Sequence, residues 1–220
     1  MQQFMTFYRS SVGKKILMAV TGIFMFLFVF VHMVGNLQIY IGSEALNRYS
    51  HFLHSVPEIL WFVRVFILFS LIVHVWAAFL VWLKSYRAKP VKYRVKVDIA
   101  TNYASRTMIW TGPIVLAFVI FHLLDLTYGQ RVASVVYSES DVYHNIIAGF
   151  QYWPLALTYI LANLLLGFHL YHGLWSLFQT LGLEHPLWNK SRKTLAVTFA
   201  VIVAGCNISI PASIWAGLVH

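Results

Sequence analysis

The chain has 220 residues, 60% of them hydrophobic and only 10% charged, with a mean hydropathy of +0.70. A soluble domain of this size carries more polar surface, and one large soluble helical bundle is disfavoured because the long apolar runs lack a polar face. The net charge is +9 and the one cysteine, Cys206, lies in an apolar run. This excludes an intrachain disulfide framework, a Cys-rich zinc site and an iron–sulfur cluster built from this chain alone. No Cys-x-x-Cys-His occurs, which excludes covalent c-type haem attachment.

Five apolar runs are long enough to cross a bilayer, which takes about 20 helical residues. The first is predicted at about 15–41. Its basic-then-apolar start resembles a signal peptide, but the run from Ile16 to Val34 exceeds a signal h-region and lacks a clear small-residue cleavage site. It is read as a retained span. The second is predicted at about 57–83, where Ser55-Val56-Pro57-Glu58 reads as a capping box with proline in the first turn. The third is predicted at about 105–128, and a short interfacial helix within about 139–149. The fourth covers about 152–181, with Pro154 suiting its first turn, Gly182 its C-terminal cap and Pro186 the chain just beyond. The fifth covers about 194–218, where Pro211 is expected to kink or end it. The expected fold is all-α: one transmembrane bundle of five spans over residues 1–220, four forming a core and the fifth packed outside.

Loop charge sets the orientation. Arg9, Lys14 and Lys15 precede the first span. Lys84, Arg87, Lys89, Lys92, Arg94, Lys96 and Arg106 lie between the second and third, and Lys190, Arg192 and Lys193 between the fourth and fifth. The opposite side has only Arg48, Arg64 and Arg131, beside Glu44, Glu58, Asp125, Glu139 and Asp141. The N-terminus is therefore expected in the cytoplasm and the C-terminus outside, in a bacterial cytoplasmic (inner) membrane. The basic excess is topological and does not call for a nucleic acid.

A weak internal repeat is visible. Thr21-Gly22 precedes His32 by the interval at which Thr111-Gly112 precedes His122, and Phe28 matches Phe118. The second and fourth spans carry His74 and His169, each with a small residue four positions on, Ala78 and Gly173. Two similar halves around a shared interior follow.

Ionisable side chains inside spans are costly and mark function. A single such histidine could be neutral and bonded to a neighbouring helix; His32, His74, His122 and His169 on four separate helices argue for more. Depth sorts them. At the helical rise, His32 lies about 25 Å from Lys15 and His122 about 24 Å from Arg106. His74 lies about 15 Å from Lys84, and His169 about 18 Å from Leu181. His32 and His122 thus share an outer layer, and His74 and His169 an inner one. Two facing imidazoles are the usual axial set of a b-type haem. Two such layers, on the order of 10 Å apart, make a transmembrane electron path. Gly22, Gly35, Gly112, Gly167 and Gly173 are positions where a flat macrocycle could approach, or where helices pack. Zinc or di-iron chemistry would want carboxylates beside the histidines, and a proton-coupled transporter an acid at mid-depth; the spans supply neither.

At these residues the sequence resembles the single-chain, five-helix di-haem cytochrome b anchor of succinate dehydrogenases and fumarate reductases. The resemblance covers essentially the whole chain. It rests on Thr21-Gly22 to His32, on Glu44-Ala45-Leu46-Asn47 followed by His51-Phe52, on Ile72-Val73-His74 and on Thr111-Gly112 to His122. Its most specific piece is Phe168-His169-Leu170-Tyr171-His172-Gly173-Leu174-Trp175-Ser176. The resemblance implies two b haems, the outer held by His32 and His122 and the inner by His74 and His169; its pattern selects His169 over His172. It implies a flavoprotein subunit and an iron–sulfur subunit on the cytoplasmic face, assembly as a dimer of heterotrimers, and a membrane quinone, menaquinone, as substrate. The loops from Lys84 to Arg106 and from Lys190 to Lys193 are candidate docking surface, or only satisfy topology. Glu44, Glu58 and Asp125 are the candidate proton acceptors of a quinone site. Some members have glutamate two residues before the inner ligand; here that residue is Gly167. The alternatives are a di-haem cytochrome b of a hydrogenase or formate dehydrogenase, and a non-redox membrane channel or scaffold.

Overall fold

The computed structural model describes residues 10–88, 103–130 and 136–220. Of the charges used for orientation, Arg9, Lys89, Lys92, Arg94, Lys96 and Arg131 lie outside the described residues. Among the described residues there are seven α-helices: α1 (Ser11–Asn36), α2 (Ser43–His54), α3 (Pro57–Arg87), α4 (Tyr103–His122), α5 (Val142–Gln151), α6 (Trp153–Thr180) and α7 (Asn189–Trp215). α1 runs on into a 3-10 turn (Leu37–Tyr40) and α4 into a π-turn (Leu123–Thr127). Among the described residues five helices are long and apolar enough to cross a membrane, within Ser11–Tyr40, Pro57–Arg87, Arg106–Thr127, Trp153–Thr180 and Pro186–Trp215. The chain is all-α, with no strand among the described residues.

Local chemistry explains the ends. Ser10 caps α1, its hydroxyl accepting from the Gly13 N–H at 2.9 Å. α6 begins with Pro154 in its first turn and ends where Gly182 takes a φ of +72°. Only glycine adopts that conformation without strain, and it lets the Leu183 N–H reach back to the Phe178 carbonyl. The capping box expected at Ser55 does not form. Ser55 closes α2 instead, its hydroxyl donating to the Phe52 carbonyl at 2.8 Å, and α3 starts from Val56 with no side-chain cap. α7 begins before the expected position 194, because polar residues fill its first turn. Arg192 is buried there, donating to the Leu183 carbonyl at 2.9 Å and lying over the Trp175 ring at 5.4 Å. Pro211 neither ends nor divides α7.

Packing follows small residues. Ala196, Ala200 and Ala204 on α7 recur every fourth position and are buried. A Cβ on Gly167 of α6 would come within 3.0 Å of the Ala204 Cβ. Such seams let helices approach where water supplies no driving force. α1 packs on α3 and on α6, α6 packs on α4, and α7 lies against α6 and α1. Neither α1 with α4 nor α3 with α6 makes an extensive contact. These two pairs are the diagonals of a four-helix core, with α7 outside it.

α2 and α5 form a polar-edged cap over the end of the core where α1 and α4 finish. The Asn47 amide donates to Asp141 Oδ1 at 2.9 Å, and the Tyr143 N–H donates to Asn47 Oδ1 at 3.0 Å. Beneath it Leu46, Ile146, Ile147, Phe150 and Leu155 share one apolar cluster with α7.

Candidate functional site

Each diagonal carries one pair of histidines. His32 on α1 faces His122 on α4, ring centres 5.8 Å apart and planes at 88°. His74 on α3 faces His169 on α6, ring centres 6.4 Å apart and planes at 58°. Metal–imidazole bonds are about 2 Å long, and a ring centre lies about 1 Å behind its nitrogen, so two imidazoles in line on one metal have centres about 6 Å apart. Both pairs fit an axial bis-imidazole set. His32 is exposed, and His74, His122 and His169 are half-buried.

The ring orientation has visible causes. His74 Nδ1 lies 3.0 Å from the Met18 carbonyl oxygen. A carbonyl only accepts, so Nδ1 carries the proton and Nε2 keeps the lone pair available to a metal. The Thr21 hydroxyl donates to the Leu17 carbonyl at 2.8 Å and sits 3.4 Å from the same Nδ1. Nδ1 of His122 and of His169 is also buried, without a partner among the described residues. In these three rings the Nδ1 edge is turned into protein, leaving Nε2 as the other edge.

The internal repeat has a structural meaning. Gly22 borders His74, where an added Cβ would lie 3.6 Å from the ring Cε1; Gly112 borders His169 in the same way at 3.9 Å. Each Thr-Gly pair therefore backs the inner-layer histidine of the next span. Phe28 stacks on His32 at 5.5 Å, and Phe118 packs on His122 at 5.9 Å. His172, one turn beyond His169, makes no ring pair across the bundle among the described residues, and its Nδ1 is buried without a partner.

The three candidate carboxylates part company. Glu44 is exposed and paired with Arg48 at 2.6 Å, an i,i+4 bridge on α2. Glu58 is exposed in the first turn of α3, beside an open aromatic face of the same helix formed by Trp61, Phe62, Val65, Phe66 and Phe69. Asp125 is fully buried in the π-turn after α4, where Asp125 Oδ2 accepts from the Tyr159 hydroxyl at 2.9 Å. Sequence reasoning missed Tyr159. Its signal was a polar-tipped aromatic ten positions before His169, on the outer-layer side of α6.

Residues 84–207 match the family model described as "Succinate dehydrogenase/Fumarate reductase transmembrane subunit". The match spans more than half of the chain and includes His122 and His169. No curated protein and no solved structure matches.

Proposed function

The chain belongs to the succinate dehydrogenase/fumarate reductase transmembrane subunit family, and from that premise we propose that it is the di-haem, quinone-reactive anchor of such a complex. It is a multi-pass membrane protein and one subunit of a multi-subunit oxidoreductase. His32 and His122 would hold the outer b haem, and His74 and His169 the inner one. When bound, each haem supplies reversible one-electron chemistry at iron.

The protein's own part is positional. The Met18 carbonyl holds the His74 proton on Nδ1. Phe28 and Phe118 limit tilting of the two outer-layer rings. Bis-imidazole ligation would favour outer-sphere electron transfer over ligand exchange. Electrons would pass between an iron–sulfur subunit, docked with its flavoprotein on the cytoplasmic side, and a membrane quinone. The exposed aromatic and apolar face of α3 beside Glu58 would be where that quinone approaches, next to one carboxylate able to take a proton. The loop charges support a cytoplasmic N-terminus and an outer C-terminus in a bacterial inner membrane.

The observation that carries this reading is the meeting of four imidazoles in two facing pairs on the diagonals of one bundle. Haem content and a reduced-minus-oxidised spectrum of the purified chain test it. Two b-type haems per chain are expected. No b-type absorbance would leave a channel or scaffold with structural histidines. Co-purification of a flavin-containing subunit separates this assignment from a hydrogenase or formate dehydrogenase cytochrome.

A further inference from the structure

Three residues after each outer-layer histidine, the chain grips a tyrosine. After His32 the residue is Gly35, and the Tyr49 ring of α2 occupies the space a side chain there would need: an added Cβ would lie 2.7 Å from Tyr49 Cε1. After His122 the residue is Asp125, whose Oδ2 accepts from the Tyr159 hydroxyl at 2.9 Å. The repeat thus uses one position in two ways, by absence of a side chain in the first half and by a carboxylate in the second.

The second arrangement reaches the histidine. The Tyr159 ring stands edge-on to the His122 ring, centres 5.8 Å apart and planes at 62°. Phe118 at 5.1 Å and Phe150 at 4.8 Å brace Tyr159 edge-on. Asp125 and Tyr159 are both buried. A buried carboxylate persists only where its hydrogen bonds hold it, and a buried tyrosine hydroxyl wants a partner. The π-turn Leu123–Thr127, a form enriched at functional sites, carries Asp125.

We propose that Asp125 and Tyr159 are a clamp that positions His122, setting the orientation of its ring and so the electronic environment of the outer site. This rests on the di-haem reading above. Asp125 anchors the Tyr159 hydroxyl, and the anchored ring bars the His122 imidazole from rotating away from His32. Both are positioning residues: Tyr159 meets the His122 ring from the side, and Asp125 acts through Tyr159. The clamp is one-sided: the His32 ring has a stacked phenylalanine but no anchored tyrosine in contact with it among the described ring pairs.

The test uses the full chain in membranes and reads the two low-spin ferric signals by electron paramagnetic resonance, with redox titration of each haem. The outer signal is the one missing from His32→Ala. In Tyr159→Phe, which keeps the ring and loses the hydroxyl, and in Asp125→Leu, the outer signal and its midpoint should shift while the inner ones stay fixed. Asp125→Asn keeps an oxygen that can accept from Tyr159 and should restore the outer signal. The inner signal reports folding in every variant. An unmoved outer signal in both Tyr159→Phe and Asp125→Leu, or equal movement of the two haems, overturns the clamp. Absence of haem from the unaltered chain would remove the di-haem reading instead, and the clamp with it.

Discussion

His74 on α3 donates its Nδ1 proton to the main-chain carbonyl of Met18 on α1, at 3.0 Å and across 56 residues of sequence. A main-chain acceptor cannot be removed by substitution, but the approach to it can. Gly22 borders the ring, with room for a methyl group at an ordinary 3.6 Å contact. Gly22→Ala should retain the inner haem. Gly22→Leu should push His74 off Met18 and lower inner-haem affinity by about 10- to 100-fold, the usual cost of a lost outer-shell partner. Haem content per chain checks both, and Gly112→Leu should crowd the His169 ring directly and lower inner-haem content too.

His169 and His172 are one helical turn apart, and only His169 faces His74. His169→Ala should therefore remove one haem and leave the outer one. His172→Ala should leave both. Pyridine haemochrome analysis gives the count, and loss of a haem in the second variant alone would reverse the assignment.

Glu58 stands beside the exposed aromatic face of α3, and its capping role is absent. Glu58→Gln should lower quinol-linked turnover by about 100-fold, a typical loss for a missing proton acceptor. Haem content and both haem spectra should not change. Turnover equal to that of the unaltered complex would move the quinone site elsewhere.

Asp141 caps α5 and joins it to α2. The His144 N–H, then the Asn47 amide, hold its carboxyl below the usual carboxylate range. A group with a lowered folded-state pKa adds stability above its unfolded value and loses it as pH falls through the folded one. The outer cap should thus be insensitive to pH around neutrality and loosen below about pH 4. Asp141→Ala should cost about 1 kcal/mol as a lost N-cap and abolish that acid step, seen by hydrogen exchange in α5.

Gly167 abuts Ala204 across the α6–α7 seam. The seam leaves no space for a longer side chain. Gly167→Leu should destabilise the protein by about 1–3 kcal/mol through overpacking, read as a lower unfolding midpoint in detergent. Gly205→Ala, with nothing within 4 Å of an added Cβ, should be silent.

The sequence carried the histidine layers because helical rise and loop charge fix depth without knowledge of packing. His32 and His122 lie far from their basic flanks, and His74 and His169 near theirs. Rotation about each helix axis is not fixed that way. The Tyr159–Asp125 bond, the seating of Tyr49 on Gly35 and the Asn47–Asp141 link all cross between elements, and no local pattern announces them. α2 was legible only as an outer loop, since its exposed polar face and short length imitate one; the Glu44–Arg48 spacing was its one helical sign. The capping box failed for a related reason. Ser55 sits between two helices, and the end of α2 used its hydroxyl before α3 could.

Every facing pair draws one ring from α1–α3 and one from α4–α6. During synthesis the first hairpin can therefore complete neither site. The outer pair closes once α4 has entered the bilayer, whereas the inner pair waits for α6. Assembly of the two pairs is thereby ordered along the chain, and a chain truncated after α4 would retain the His32–His122 pair and lack the His74–His169 pair.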